Sequence, residues 1–446
     1  MENLFYLLNM TVSGIKSIKK DVRLDFYKKT IDKAFDPEKY RVKAIYGENG
    51  AGKSAIITSL KIFQDLFIND NYLNESKNQN FLEEIINKET KVFKFNCEYI
   101  VNLDSARIVF NYSVHLGKNK NDLYEIKYER LMQKNGNYPN NNYRTLFECR
   151  NGELVSIELN EPHKENIVKK TLNLLSSHSL IYLYLTNLGK DELEQEVGDL
   201  SKNLTVSILL CLTFVIMFKI YLAEEDQHEL YFLKKRLKES GIDNQTVGER
   251  LLELGESINV FSSVNEKKIE KKFYDKYEER IGQLTQFIRI FKADLVSIDI
   301  DKKEDGEYYF CELILNYGNY RVNKEFESTG IKKLIRLFDC LITASNTGIA
   351  FIDEMDSNLN DVYLCKLIEY FMYYGKGQLC FTTHNLDPMI ALKENKNSID
   401  FLSNDNHLVQ WTSRGNSSPD NCYRNGMIED SPFNIDATDF IGIFGE

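Results

Sequence analysis

Gly47-Glu48-Asn49-Gly50-Ala51-Gly52-Lys53-Ser54 is the stretch on which the rest of the chain is read. It fits the pattern G-x-x-x-x-G-K-[ST] of a phosphate-binding loop. Its glycines let the backbone curl until successive N–H groups converge on an anion. Gly47, Asn49, Gly50 and Gly52 are therefore expected to line a nucleotide's phosphates. Lys53 would reach the β- and γ-phosphates as a point charge. Ser54 would give its hydroxyl to Mg2+. The pattern carries weight only between a strand and a helix. Before it, Val42, Ala44, Ile45 and Tyr46 make a short apolar run, as in a buried strand. After it, Ile56, Leu60 and Phe63 share one helical face. The N-terminal end of that helix would aim its positive dipole at phosphate.

Two further apolar strands end in polar residues. Ile349-Ala350-Phe351-Ile352 runs into Asp353-Glu354. An acid delivered at the end of a parallel strand beside a phosphate loop is a Walker B arrangement. Asp353 would help hold Mg2+, and Glu354 would polarise the attacking water as general base. Leu379-Cys380-Phe381 runs into Thr382-Thr383-His384. His384 could hydrogen-bond the γ-phosphate or the attacking water and so sense the terminal phosphate. Upstream, Glu327-Ser328-Thr329-Gly330 precedes a helix from about Ile331 to Ala344. Ser328 is a good N-cap, and a helix start with small residues suits an anion.

Composition narrows the setting. The chain has 446 residues, 43% of them hydrophobic, enough for a large core or two domains. The net charge of −11 argues against bulk electrostatic binding of nucleic acid. The eight cysteines form no C-x-x-C pair and do not cluster with the six histidines. Reduced thiols in a cytoplasmic protein are the expectation. The N-terminus has no signal-peptide pattern. Leu204 to Phe218 is uncharged but too short to span a membrane, and reads as a buried core or oligomer-interface helix.

Along the chain, residues 3–26 read as two short strands around a turn, and Val92 to Tyr128 alternates as an antiparallel β section. Residues 165–290 read as helical, including a charged stretch from Tyr221 to Leu254. Lys267, Lys268, Lys271, Lys272 and Lys276 lie in one of these helices, with acids interleaved as on a solvated face. Strands return at Leu295–Ile300, Tyr308–Asn316 and Tyr320–Val322.

The order of phosphate loop, intervening arm, Ser-x-Gly helix start, strand–Asp–Glu and strand–Thr–His resembles ABC-type ATPases of the SMC and RecF kind. The resemblance covers roughly residues 4–130 and 290–405. It implies an α/β fold: an ABC-type head with a mixed parallel core sheet, an antiparallel β section and an inserted helical arm or bundle. The corresponding division is 1–160, an N-terminal lobe; 161–292, the helical insertion; and 293–446, a C-terminal lobe. It also implies ATP and Mg2+ bound between two copies in a homodimer or higher homo-oligomer. Ser328 and Gly330 of one copy would face the phosphate held by Lys53 and Ser54 of the other. Asp356 and Asn358 would form the D-loop that meets the partner. A Q-loop glutamine is not evident, Gln64 and Gln79 being poor candidates. Thr329 stands where the family's signature has glycine, and Ile331-Lys332 follows Gly330. This variant looks more like the ATPases of OLD nucleases and anti-phage systems, with the ATPase subunits of PARIS-type and Septu-type defence closest. Only 62 residues follow His384, too few for a Toprim domain, and no second acidic catalytic cluster is evident in them. The effector is therefore expected on a separate chain, as a Toprim or HNH nuclease, with a phage-encoded trigger. The alternative is a RecF-like repair ATPase that clamps DNA, which the acidic balance and short arm disfavour.

Overall fold

Val42–Tyr46 is buried along its whole length, which a strand achieves inside a sheet covered on both faces. It is third of six strands in the order Leu408–Gln410, Ile399–Leu402, Val42–Tyr46, Gln378–Thr382, Ile349–Ile352 and Phe218–Tyr221. Five of these run parallel, and Leu408–Gln410 pairs antiparallel at one edge. The structure is a computed structural model that describes residues 5–69, 71–103, 106–159, 161–187, 204–222, 263–395, 397–412 and 417–431.

A second, antiparallel sheet has seven strands in the order Val22–Asp25, Phe5–Ser13, Val92–Leu103, Ala106–Lys118, Tyr124–Asn135, Arg144–Arg150 and Glu153–Ile157. The two N-terminal strands thus join the antiparallel section. A third sheet pairs Lys268–Glu270, Tyr308–Asn316 and Ser297–Asp305, with Arg321–Asn323 on Tyr308–Asn316. Tyr277, Ile281, Leu284 and Ile288 of the helix Tyr274–Phe291 share a buried cluster with Leu313 and Leu315 of that sheet. The chain is a mixed α/β protein with parallel and antiparallel sheets.

The helix Lys53–Ile68 is where the two larger sheets meet. Its Phe63 ring lies 4.6 Å from Phe95 and 5.4 Å from Tyr112 of the antiparallel sheet, and 6.1 Å from Phe218 of the parallel one. Burial therefore goes nearly all round the helix, beyond the single face of Ile56, Leu60 and Phe63. Its polar groups are satisfied internally. Lys61 Nζ meets Asp65 at 2.6 Å, and the Gln64 amide donates to the carbonyls of Val215 and Phe218. Asp400, on the strand Ile399–Leu402, is also held inside the sheet, 2.7 Å from Lys43 Nζ.

The uncharged stretch becomes the helix Leu204–Ile216, a core helix. Its Phe214 stacks on Tyr99 at 3.7 Å. No helix among the described residues is long and apolar enough to cross a membrane. All eight cysteines are free.

Residues 165–290 depart from a purely helical reading at two places. Phe218–Tyr221 is an edge strand of the parallel sheet and Lys268–Glu270 a strand of the third sheet. Each is too short to show a period of two against helical neighbours. The lysines there are matched by acids: Lys267 with Glu325, Lys268 with Asp305, Lys271 with Glu304 and Lys272 with Glu270. The stretch from Tyr221 to Leu254 lies outside the described residues beyond Leu222.

Candidate nucleotide site

The loop after Val42–Tyr46 turns into the helix with Gly52 as its N-cap, at φ +110°. That left-handed backbone suits glycine. Space requires glycine there too, since a Cβ on Gly52 would stand 2.7 Å from Ile18 Cγ1 and 3.2 Å from Ser17 Oγ. No side chain caps the helix, so its first-turn N–H groups have no side-chain acceptor and can serve an anion at the loop. Lys53 is buried, and its Nζ donates to Gly47 O at 2.7 Å and Glu48 O at 2.9 Å. Asn49 and Gly50 are exposed at the loop's tip, and Ser54 is half-buried.

Gln378–Thr382 lies between the loop strand and the strand Ile349–Ile352. Two strand spacings, about 10 Å, therefore separate the loop from Asp353. The strand ends converge. The Lys53 ammonium is pushed down by burial and held up by Asp353, Glu354, Asp356 and Glu48. His384 is lowered by partial desolvation of its ring and then by Lys53, against Asp356, Glu354 and Asp353. Lys53, Asp353, Glu354, Asp356 and His384 thus share one electrostatic neighbourhood. His384 N donates to Asp356 Oδ2 at 3.3 Å. Asp356 Oδ1 is buried with no hydrogen-bond partner, so it leaves an acceptor for a cation or donor from outside the chain.

In the sequence Thr382 reads only as part of a polar strand end, yet its hydroxyl organises the acid pair. Oγ1 donates to Asp353 Oδ1 at 2.6 Å and accepts from Glu354 N at 2.7 Å. Thr382→Val keeps the shape and loses both bonds. We expect it to lower stability by about 1–3 kcal/mol in urea unfolding and to slow any chemistry at Glu354, with serine restoring both. A valine variant identical to wild type in both measurements would deny Thr382 this part.

Ser328 and Gly330 sit at the start of the helix Thr329–Ser345. Ser328 Oγ accepts from Ile331 N at 3.4 Å, as an N-cap. Gly330 lies on the turn after the acids, where a Cβ would come within 3.1 Å of Asn358 O. In one chain, then, this helix start lies against the Asp356–Asn358 turn.

Neither candidate Q-loop glutamine reaches the site. Gln64 braces the loop helix, and Gln79 is bonded to Leu73 and Tyr124. The edge strand does come to it: Asp353 N donates to Tyr221 O at 2.9 Å, and the chain beyond Leu222 lies outside the described residues. Two other neighbours escape a reading by motif. Residues Ser17 and Ile18 press on Gly52, and Asn404 Nδ2 donates to Glu48 Oε2 at 2.9 Å. Only the turn expected between the two strands of residues 3–26 hints at the first. No protein-family model matches the chain, and no curated protein matches it.

Proposed function

We propose that this chain is an ABC-type ATPase head that binds ATP with Mg2+ and hydrolyses it at sites completed by a second copy of itself. The observation that carries the reading is the gathering of Lys53, Asp353, Glu354, Asp356 and His384 at the ends of three neighbouring parallel strands. Lys53 and the backbone N–H groups of the loop would hold the phosphates.

The donor set suits Mg2+. Among the described residues no group of three His, Cys, Asp or Glu side chains could cage a metal, and Mg2+ prefers one or two protein ligands beside phosphates and water. Ser54 and Asp353 would hold the ion, which when bound would neutralise charge on the phosphates. Glu354 accepts the proton of the attacking water. With its pKa lowered, His384 is neutral near pH 7, with one ring nitrogen to donate and one to accept. Ser328 and Gly330 supply a helix N-terminus to the phosphates of the other copy.

The wider proposal is that ATP-driven assembly holds or releases a separate effector, a nuclease on another chain, in anti-phage defence. It is supported by the same resemblance and would be tested by co-purifying a neighbouring gene product. The DNA-clamp alternative has less support, because Lys267, Lys268, Lys271 and Lys272, whose run could have made a DNA-binding stripe, are each paired with an acid. Tight DNA binding with a steep salt slope would reverse that preference.

The direct test is phosphate release from MgATP by the full chain over a range of protein concentrations, with mass followed by light scattering. Turnover per chain should rise as dimers form and vanish with EDTA. A rate per chain that stays constant while the protein is monomeric would sink the shared site.

A further inference from the structure

Lys333 is only 4% exposed, although it lies one turn into the helix that begins at Thr329. An ammonium is stable out of water only when its N–H groups find acceptors. Lys333 Nζ donates to Glu354 O at 2.6 Å, to Ser357 O at 2.6 Å and to Ser357 Oγ. All three acceptors belong to the turn that follows the acid strand. Burial brings the Lys333 pKa down to about 8, against the pull of Asp356, Glu354 and Asp353.

That turn needs holding. Glu354 has φ +47° and Asn358 φ +58°, the left-handed region, which is disfavoured for a residue such as glutamate. Such backbone persists where its surroundings fix it. Lys333 grips it at Glu354 and again at Ser357, while Gly330 of the same helix rests on Asn358 O. The bonds run to backbone carbonyls at Glu354 and Ser357, so they transmit position. A shift of the helix start carries Lys333 with it, and Lys333 carries the peptide of Glu354.

We propose that Lys333 is a positioning residue that links the seating of a second copy's nucleotide on Ser328 and Gly330 to the placement of the Glu354 carboxylate in its own chain. The inference rests on the ATPase reading above. It makes hydrolysis conditional on assembly: the base is set when the helix start beside it is engaged. Nucleotide binding does not itself require Lys333, because its bonds run to Glu354 and Ser357 and not to Lys53 or the phosphate loop.

The test uses the full chain, Mg2+ and the fluorescent analogue mant-ATP, with Lys333→Met, which keeps an apolar stem and removes the donors. Mant-ATP should bind at wild-type stoichiometry and affinity, and turnover is compared at protein concentrations where light scattering shows the variant dimeric. Turnover per loaded chain should fall about 100-fold, as for a misplaced reacting group. In a Glu354→Gln background Lys333→Met should add no further loss, since both act through one group. A lysine of merely structural importance would lower the fraction of chains that bind mant-ATP and leave the loaded ones fully active. That result, or additive losses in the double variant, overturns the proposal. If Lys333→Met does not fold, Lys333→Gln, too short to reach both carbonyls, decides: slower turnover per loaded chain at unchanged affinity supports the link, and wild-type turnover overturns it. A wild-type chain that neither binds nor hydrolyses MgATP brings down the ATPase reading and this inference together. Active wild type with equally active Lys333→Met removes the inference alone.

Discussion

Glu354→Gln should lower kcat by about 100- to 10,000-fold, the range for loss of a general base, while MgATP still binds. The substitution is nearly isosteric and keeps hydrogen-bonding capacity, but an amide cannot take a proton from water. The backbone should tolerate it. Glu354 already holds φ +47°, pinned by Thr382 Oγ1 at its N–H and by Lys333 at its carbonyl, and glutamine makes the same steric demand there. With hydrolysis blocked and binding intact, nucleotide should accumulate between two copies. The expected readout is a dimer that survives gel filtration with ATP and falls apart with ADP. Wild-type turnover by the glutamine variant would pass the role of base to another group, with Asp356 and its unpartnered Oδ1 next in line.

What the sequence carries of this site is the part built from consecutive residues. Gly47–Ser54, the run into Asp353-Glu354 and the run into His384 each sit on a strand whose apolar stretch is too short and too complete for a surface element. That is why parallel strands and their order along the chain were legible. The missing part depends on residues far apart in sequence. Thr382 acts on Glu354 across 28 positions and Lys333 acts on it across 21. Neither residue type announces such a role, since threonine and lysine at those places also read as a strand end and a solvated helix face. The loop helix shows a second limit. Lys61, Gln64 and Asp65 look like an exposed face, and only the sheet-helix-sheet layering reveals that they satisfy one another and the backbone in the interior. The strand Phe218–Tyr221 shows a third: four residues cannot display a period against the helix before them, yet they set the sheet edge beside Asp353.

Lys53→Ala should weaken MgATP binding by about 100-fold or more, the scale for removing one partner of a close, desolvated charge pair. Two consequences combine. The triphosphate loses its point charge, and the loop loses the ammonium that bonds Gly47 O and Glu48 O across its width. A third effect concerns the empty-handed acids. Asp353, Glu354, Asp356 and Glu48 all act on Lys53 electrostatically, so its removal leaves them repelling one another with Lys333 as the remaining nearby ammonium. Mg2+ alone should therefore raise the melting temperature of Lys53→Ala more than that of wild type, where Lys53 already balances the same carboxylates. The contrast with Glu354→Gln is the decisive one: the first variant loses the nucleotide, and the second keeps it too long. A Lys53→Ala chain that binds mant-ATP as wild type does, or that gains nothing from Mg2+, would mean that Lys53 braces the loop and leaves the phosphates to the backbone.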